Sequence, residues 1–289
     1  MGREFRELIE KKKQEHQDRT SKNYIKKDTA DHKQQDNEVY ISEKKAIQKI
    51  YDQIIVNSNI PPKFNEASFD NFRFDAIPQE NVKKVKEIKR YSENILTALQ
   101  GPQSVYIYSN YNGCGKTHVA IAALKTAARC FAKKIFDNNP VKYRRRGISL
   151  RDFSWRPVFF MSEVNYLWKK RKYNTQDDRL KEELDIIERA VINSELLVID
   201  DFFRERDTDF VFGNLTAWLN HRYDYNKPVI FTSNDDFKIL ALENRKNPYY
   251  GTKHMKDATY LASRISEMTK GYQFAFQSSQ DSDYRQNNP

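Results

Sequence analysis

The 289-residue chain has only two cysteines, Cys114 and Cys130, and it contains no long apolar run. A bilayer span needs roughly 18 consecutive apolar residues, so a membrane protein is not expected. Two thiols cannot make a zinc site by themselves, and a reducing compartment would keep them unpaired. No apolar block follows Met1, and Arg6 stands where a myristoylation signal needs Ser or Thr. Together these absences predict a cytoplasmic protein with no membrane partner. Apolar residues make up 38% and charged residues 31% of the chain, a balance in which part of the sequence is solvated rather than packed.

The charge is unevenly placed. The formal net charge is +10, yet residues 125–172 hold 14 Lys or Arg against Asp137, Asp152 and Glu163, so this segment carries the whole excess. A concentrated basic patch points to a polyanionic partner, whereas uniform basicity would not.

Residues 1–59 read as a separate N-terminal arm, whose stretch up to Glu38 is dense in charge of both signs and nearly free of large apolar residues after Ile9. Helices are predicted near 3–17 and near 40–56, where Ile41, Ile47, Ile50, Tyr51 and Ile54 recur at roughly helical spacing. Such a stripe suits either a solvated tail or an arm whose apolar face a partner completes. Pro61 and Pro62 then break the pattern. Beyond them strands are predicted at 104–109, 157–162, 195–202, 228–234 and 272–276. Helices are predicted at 79–99, 116–134, 163–172, 177–193, 209–224 and 258–269. Strands alternating with helices imply a mainly parallel sheet covered on both faces.

Three strand ends carry the chemistry. Ser109–Thr117, "SNYNGCGKT", nearly fits the phosphate-loop pattern G-x-x-x-x-G-K-[ST], with Asn110 in place of the first glycine. If that turn needs a positive φ, asparagine is the least costly substitute. Asn110, Asn112, Gly113, Cys114, Gly115, Lys116, Thr117 and His118 are the candidate nucleotide contacts. Backbone N–H groups of 112–117 would face the phosphates at a helix N-terminus. Lys116 would reach the β and γ groups, and the Thr117 hydroxyl would bind Mg2+. In "LLVIDDF" Asp200 ends an apolar strand and would hold the same metal, usually through water, with Asp201 orienting or deprotonating the attacking water. Asn234, closing "VIFTSN", can donate and accept, which suits a residue that holds water against the γ phosphate.

In this order the motifs resemble those of AAA+ ATPases, and more finely the DnaC/DnaI-type replicative helicase loaders and the related IstB-type ATPases. "IPPKFNEASFDNF" (60–72) resembles the segment preceding the ATPase core in that branch. "ASRISEMTKGYQFAFQSSQDSDYR" (262–285) resembles its C-terminal end. The resemblance implies an AAA+ core with a five-stranded, mainly parallel sheet over 60–289, preceded by the arm at 1–59 and carrying a basic insertion at about 135–156. It implies an ATPase that uses ATP and Mg2+, binds single-stranded DNA and a hexameric DnaB-type helicase, and assembles into a ring or spiral. The alternative is an IstB-like regulator of a transposase. Arg264 aligns with an arginine finger offered to a neighbouring subunit, and Arg285 with a second phosphate-sensing arginine. Arg144, Arg145 and Arg146, near Tyr143, Phe153 and Trp155, and then Lys169, Lys170 and Arg171 beside Trp168, combine phosphate-neutralising groups with stacking rings. They are the candidate DNA contacts. A small-molecule kinase is disfavoured because no acceptor lid is apparent. A passive adapter is disfavoured because Lys116, Thr117, Asp200 and Asn234 are intact.

Overall fold

The apolar runs form strands because branched and aromatic side chains pack well on a pleated surface buried on both sides. A computed structural model describes residues 43–101, 103–140, 143, 156–173, 177–204 and 209–277. Its strands are β1 (Val105–Tyr108), β2 (Val158–Ser162), β3 (Leu196–Asp200), β4 (Val229–Ser233) and β5 (Gln273–Ala275). They form one five-stranded sheet in the order β2-β3-β4-β1-β5. Every pairing is parallel, with Ile107 opposite Thr232 and Ile199 opposite Phe231. The expected α/β class and sheet are therefore the observed ones.

The two-residue period of a strand sends neighbours to opposite faces. Val105, Ile107, Leu196, Val198 and Ile230 enter one core, whereas Tyr106, Leu197, Ile199, Val229 and Phe231 enter the other. Each such side chain contributes about 1.5–3 kcal/mol by leaving water. The first core is closed by α1 (43–56), α2 (Gln79–Glu93), α3 (Ile95–Ala98) and α4 (Lys116–Asn138). The second is closed by α5 (Glu163–Lys172), α6 (Asp178–Asn193), α7 (Asp209–Asp224) and α8 (Met255–Met268). Local capping sets where two of these begin. The Ser162 hydroxyl accepts from Asn165 N–H, and Asp177 Oδ1 accepts from Leu180 N–H at 2.9 Å. The single helix expected over 79–99 is broken at Asn94, which leaves helical geometry (φ −105°, ψ 24°).

Part of the predicted arm belongs to the core. Ala46, Ile50 and Ile54 of α1 are buried in the first core, so the boundary at 59 falls inside a packed unit. The described part of the apolar stripe is buried in cis, in the core that α4 also lines. There the Arg129 guanidinium lies over the Tyr51 ring at 5.3 Å, and Lys133 pairs with Glu43 at 3.3 Å. The chain after α1 then covers the edge of β2. Phe160 N–H donates to Ser58 O, and Asn59 Nδ2 donates to Phe160 O. The expectations for residues 1–42 lie outside the described residues.

Among the described residues Arg222, on α7, is the largest fully buried side chain. It donates to the carbonyls of Val191, Ser194, Glu195 and Pro228, tying together the connections that lead into β3 and β4. Burial pushes its pKa down to about 9, which leaves it charged at neutral pH. Nothing in the sequence pattern singles it out.

Candidate nucleotide site and basic face

A parallel sheet gathers its strand ends on one edge, and ligands of such sheets bind beyond that edge. Here β1 leads into the loop 109–115, and α4 starts at Lys116. Gly113 and Gly115 have φ of 80° and 86°, in the region that disfavours a side chain. A Cβ on Gly115 would lie 3.2 Å from the Phe72 ring, close enough that the ring would have to shift. Asn110 is not among the non-glycine residues with positive φ. The expectation that asparagine substitutes for a left-handed glycine is therefore corrected: the turn out of β1 does not require that conformation.

Lys116 is buried and donates to the carbonyls of Ser109 (3.3 Å) and Tyr111 (3.0 Å) and to Asn234 Oδ1 (3.0 Å). Thr117 Oγ1 donates to Asp200 Oδ1 at 2.8 Å. Thr232 makes the next link, donating to the same Asp200 oxygen at 2.5 Å and accepting from Asp201 N–H at 3.1 Å. Burial raises the Asp200 carboxyl above the usual carboxylate range, and the bonds from Thr232 and Thr117 oppose that rise. The pair of hard oxygen ligands on Thr117 and Asp200 fits Mg2+, which keeps several of its own waters and takes few protein oxygens. Among the described residues no cluster of three or more His, Cys, Asp or Glu suggests another metal.

Lys116, Thr117 and Asp200 line one cavity of about 750 Å3, together with Asn112–Gly115, His118, Asp201 and Asn234. Its opposite wall is the segment after the prolines. Lys125 donates to Phe64 O at 3.0 Å and also to Asn65 O, and His118 Nε2 meets Ser68 O at 3.0 Å. Burial lowers the His118 pKa, so this ring is neutral at neutral pH. Phe72 packs edge-on against His118 with centroids 5.2 Å apart. The structure thus brings "KFNEASFDNF" over the loop. It adds Lys63 and Arg204 to the cavity lining, two cations the sequence reading missed. Arg204 lies only three residues after Asp201, and its ion pair with that carboxylate at 2.7 Å is the signal that reveals it.

The other candidates sit elsewhere. Arg264, on α8, does not line the cavity. Its guanidinium lies 4.2 Å from the Tyr223 ring centroid and 5.2 Å from that of Tyr260, and its Nε donates to Tyr260 Oη at 3.0 Å. Two rings thus hold it on the α7–α8 surface. Arg285, Arg144, Arg145, Arg146, Phe153 and Trp155 lie outside the described residues. Lys169 and Lys170 do not stand as unpaired cations. They pair with Glu183 (2.9 Å) and Glu188 (2.7 Å) of α6, a helix whose acidic face the charge count over 125–172 could not register. Lys172 lies over the exposed Trp168 ring at 5.0 Å. No helix among the described residues is long and apolar enough to cross a membrane.

No family model matches the chain, and no curated protein matches it. Among solved structures it is similar to a DnaC helicase loader, at 18% identity and a TM-score of 0.46 over 75% of this chain and 100% of that one. A DnaI structure is similar at 18% identity and a TM-score of 0.49, over 76% of this chain and 96% of that one. The replication initiator DnaA, bound to AMPPCP and single-stranded DNA, is similar at 16% identity and a TM-score of 0.46, over 78% of this chain and 53% of that one.

Proposed function

We propose that the chain is an ATP-hydrolysing helicase loader of DNA replication. In this reading it binds single-stranded DNA and a hexameric replicative helicase, and ATP binding and hydrolysis time the helicase's delivery and release. The observation that carries the ATPase part is the convergence of Lys116, Thr117, Asp200 and Asn234 on one cavity behind a strand–loop–helix junction. The loader part is supported by the order of the motifs and by the segments at 60–72 and 262–285.

In this reading the N–H groups of 112–117 take the phosphates, and Lys116 leaves the Ser109 and Tyr111 carbonyls for phosphate oxygens. Thr117 and Asp200 would hold Mg2+, which neutralises charge on the phosphates. Asn234 positions a water, whose proton passes to Asp201 as its oxygen bonds to the γ phosphorus. The bond to the β–γ bridging oxygen breaks, and ADP and phosphate leave. Arg264 of a neighbouring copy would stabilise the transferring group, so hydrolysis would depend on self-assembly.

The test is ATP hydrolysis by the full chain with and without single-stranded DNA. Hydrolysis should be slow alone, stimulated by DNA and absent in Lys116→Ala. Mixing Arg264→Ala with Lys116→Ala protein should restore part of the activity, and no rescue at any ratio would remove the trans finger. Co-purification of the full chain with a replicative helicase, lost on deleting residues 1–42, supports the client. Capture of a transposase instead would replace it with an IstB-like role.

A further inference from the structure

The turn that follows β3 holds a cation against the candidate catalytic carboxylate. Arg204 Nη1 lies 2.7 Å from Asp201 Oδ2, and Arg204 N–H closes the turn on Asp201 O at 3.1 Å. Both side chains line the cavity that holds Lys116, Thr117 and Asn234. Resting on the nucleotide-site reading above, we propose that Arg204 is a terminal-phosphate ligand supplied in cis, and that its guanidinium occupies Asp201 until a nucleoside triphosphate draws it away.

The backbone argues that this placement is built. Asp201 and Phe203 have φ of 56° and 61°, a region that costs a residue bearing a side chain about 1–3 kcal/mol. Such strain persists only where surrounding contacts over-determine it. Here Phe202 N–H donates to Thr232 O at 2.8 Å, Phe203 N–H to Glu163 Oε2 at 3.0 Å, and Ser233 Oγ to Phe202 O at 2.8 Å. The Phe202 and Phe203 rings are both buried, with centroids 4.1 Å apart. A connecting loop without such contacts would relax. This one is pinned so that its fourth residue returns over its first.

Competition then sets the switch. The side chains of Arg204 and Asp201 are 59% and 28% exposed, and ion pairs so open to water are weak. A γ phosphate brings more charge, and two of its tetrahedrally arranged oxygens suit bidentate contact with the planar guanidinium. It can therefore take Arg204 from Asp201, whereas a diphosphate brings no γ oxygens to compete. The freed carboxylate can then accept the proton of the attacking water, whose oxygen bonds to phosphorus while the bridging oxygen leaves with ADP. In the diphosphate state Arg204 returns to Asp201.

The experiment is calorimetric titration of the full-length wild type, Arg204→Ala, Arg204→Lys and Asp201→Asn with the slowly hydrolysed analogue AMPPCP and with ADP, both with Mg2+. Arg204→Ala should lose about ten- to a hundredfold in AMPPCP affinity while its ADP affinity holds. Arg204→Lys should fall between wild type and Arg204→Ala. Asp201→Asn, which removes the competitor, should bind AMPPCP more tightly and ADP as before. If wild type binds both nucleotides and Arg204→Ala keeps the same ratio between them, the contact is an ordinary surface ion pair and the proposal is overturned alone. If wild type binds neither, the nucleotide reading falls and this proposal with it. Arg204 is exposed, so unchanged circular dichroism is expected for its variants.

Discussion

Replacing Thr232 by valine keeps the shape of a fully buried β4 side chain and removes one hydroxyl. That hydroxyl bonds Asp200 Oδ1 and the N–H of Asp201, so it links both candidate carboxylate residues. Losing a hydrogen bond to an ionised acceptor costs about 1.5–3 kcal/mol. The same loss lifts the Asp200 pKa further, because one of the bonds that favour its charged form is gone. An Asp201 N–H left unpaired adds about 1–3 kcal/mol, and because the two effects share one group a net loss of about 2–4 kcal/mol in unfolding free energy is expected.

The sign with pH follows from burial. Asp200 already titrates above the ordinary carboxylate range, so the folded protein holds this proton more tightly than the unfolded chain does. In the metal-free protein, this group's contribution to stability therefore falls as pH rises from the unfolded to the folded pKa, and is level above it. Magnesium needs the ionised carboxylate, so its affinity weakens as pH drops through the folded pKa. Thr232→Val should move that weakening to higher pH. Urea denaturation measures the first effect, and the Mg2+ dependence of fluorescent ATP-analogue binding, repeated from acid to neutral pH, measures the second. An unchanged magnesium–pH profile in Thr232→Val, or failure of Thr232→Ser to restore the wild-type one, would refute the relay.

Asn110→Gly should change ATP affinity less than about twofold and cost at most about 1 kcal/mol of stability, because Asn110 does not use a glycine conformation. Gly115→Ala, strained at φ 86° and pressed against Phe72, should weaken ATP binding at least about tenfold in the same titration. Arg222→Met strips four buried carbonyls of their donor, and should lower unfolding free energy by about 3–5 kcal/mol in urea while leaving the nucleotide contacts of the folded fraction in place. For DNA, Arg144→Ala/Arg145→Ala/Arg146→Ala should reduce the slope of log affinity against log salt by about 2. Lys169→Ala/Lys170→Ala should leave that slope nearly unchanged, since both lysines are neutralised by α6.

The elements of the sheet were legible because period and length are local properties. "VYIY", "VFFMS", "LLVID" and "VIFTS" are short, apolar and branched or aromatic, and each became a strand within a residue or two of its expected limits. The loop, Asp200 and Asn234 were legible for a related reason. Chemistry in a parallel sheet collects at strand ends, and a strand end shows in sequence as an apolar run that meets a polar residue.

What the sequence by itself determined was therefore the list of strands and helices and the residues waiting at their tips. The tertiary structure decided what those residues touch. Lys169 and Lys170 read as open cations until α6 set Glu183 and Glu188 beside them. The helix at 43–56 read as an arm until the first core buried Ile50 and Ile54. Arg204 read as one more charge until a left-handed turn folded it back onto Asp201. Periodicity records which face of an element is apolar, but electrostatics and packing depend on distance in space. Those distances are set only when the chain brings residues 14, 18 or 118 positions apart into contact.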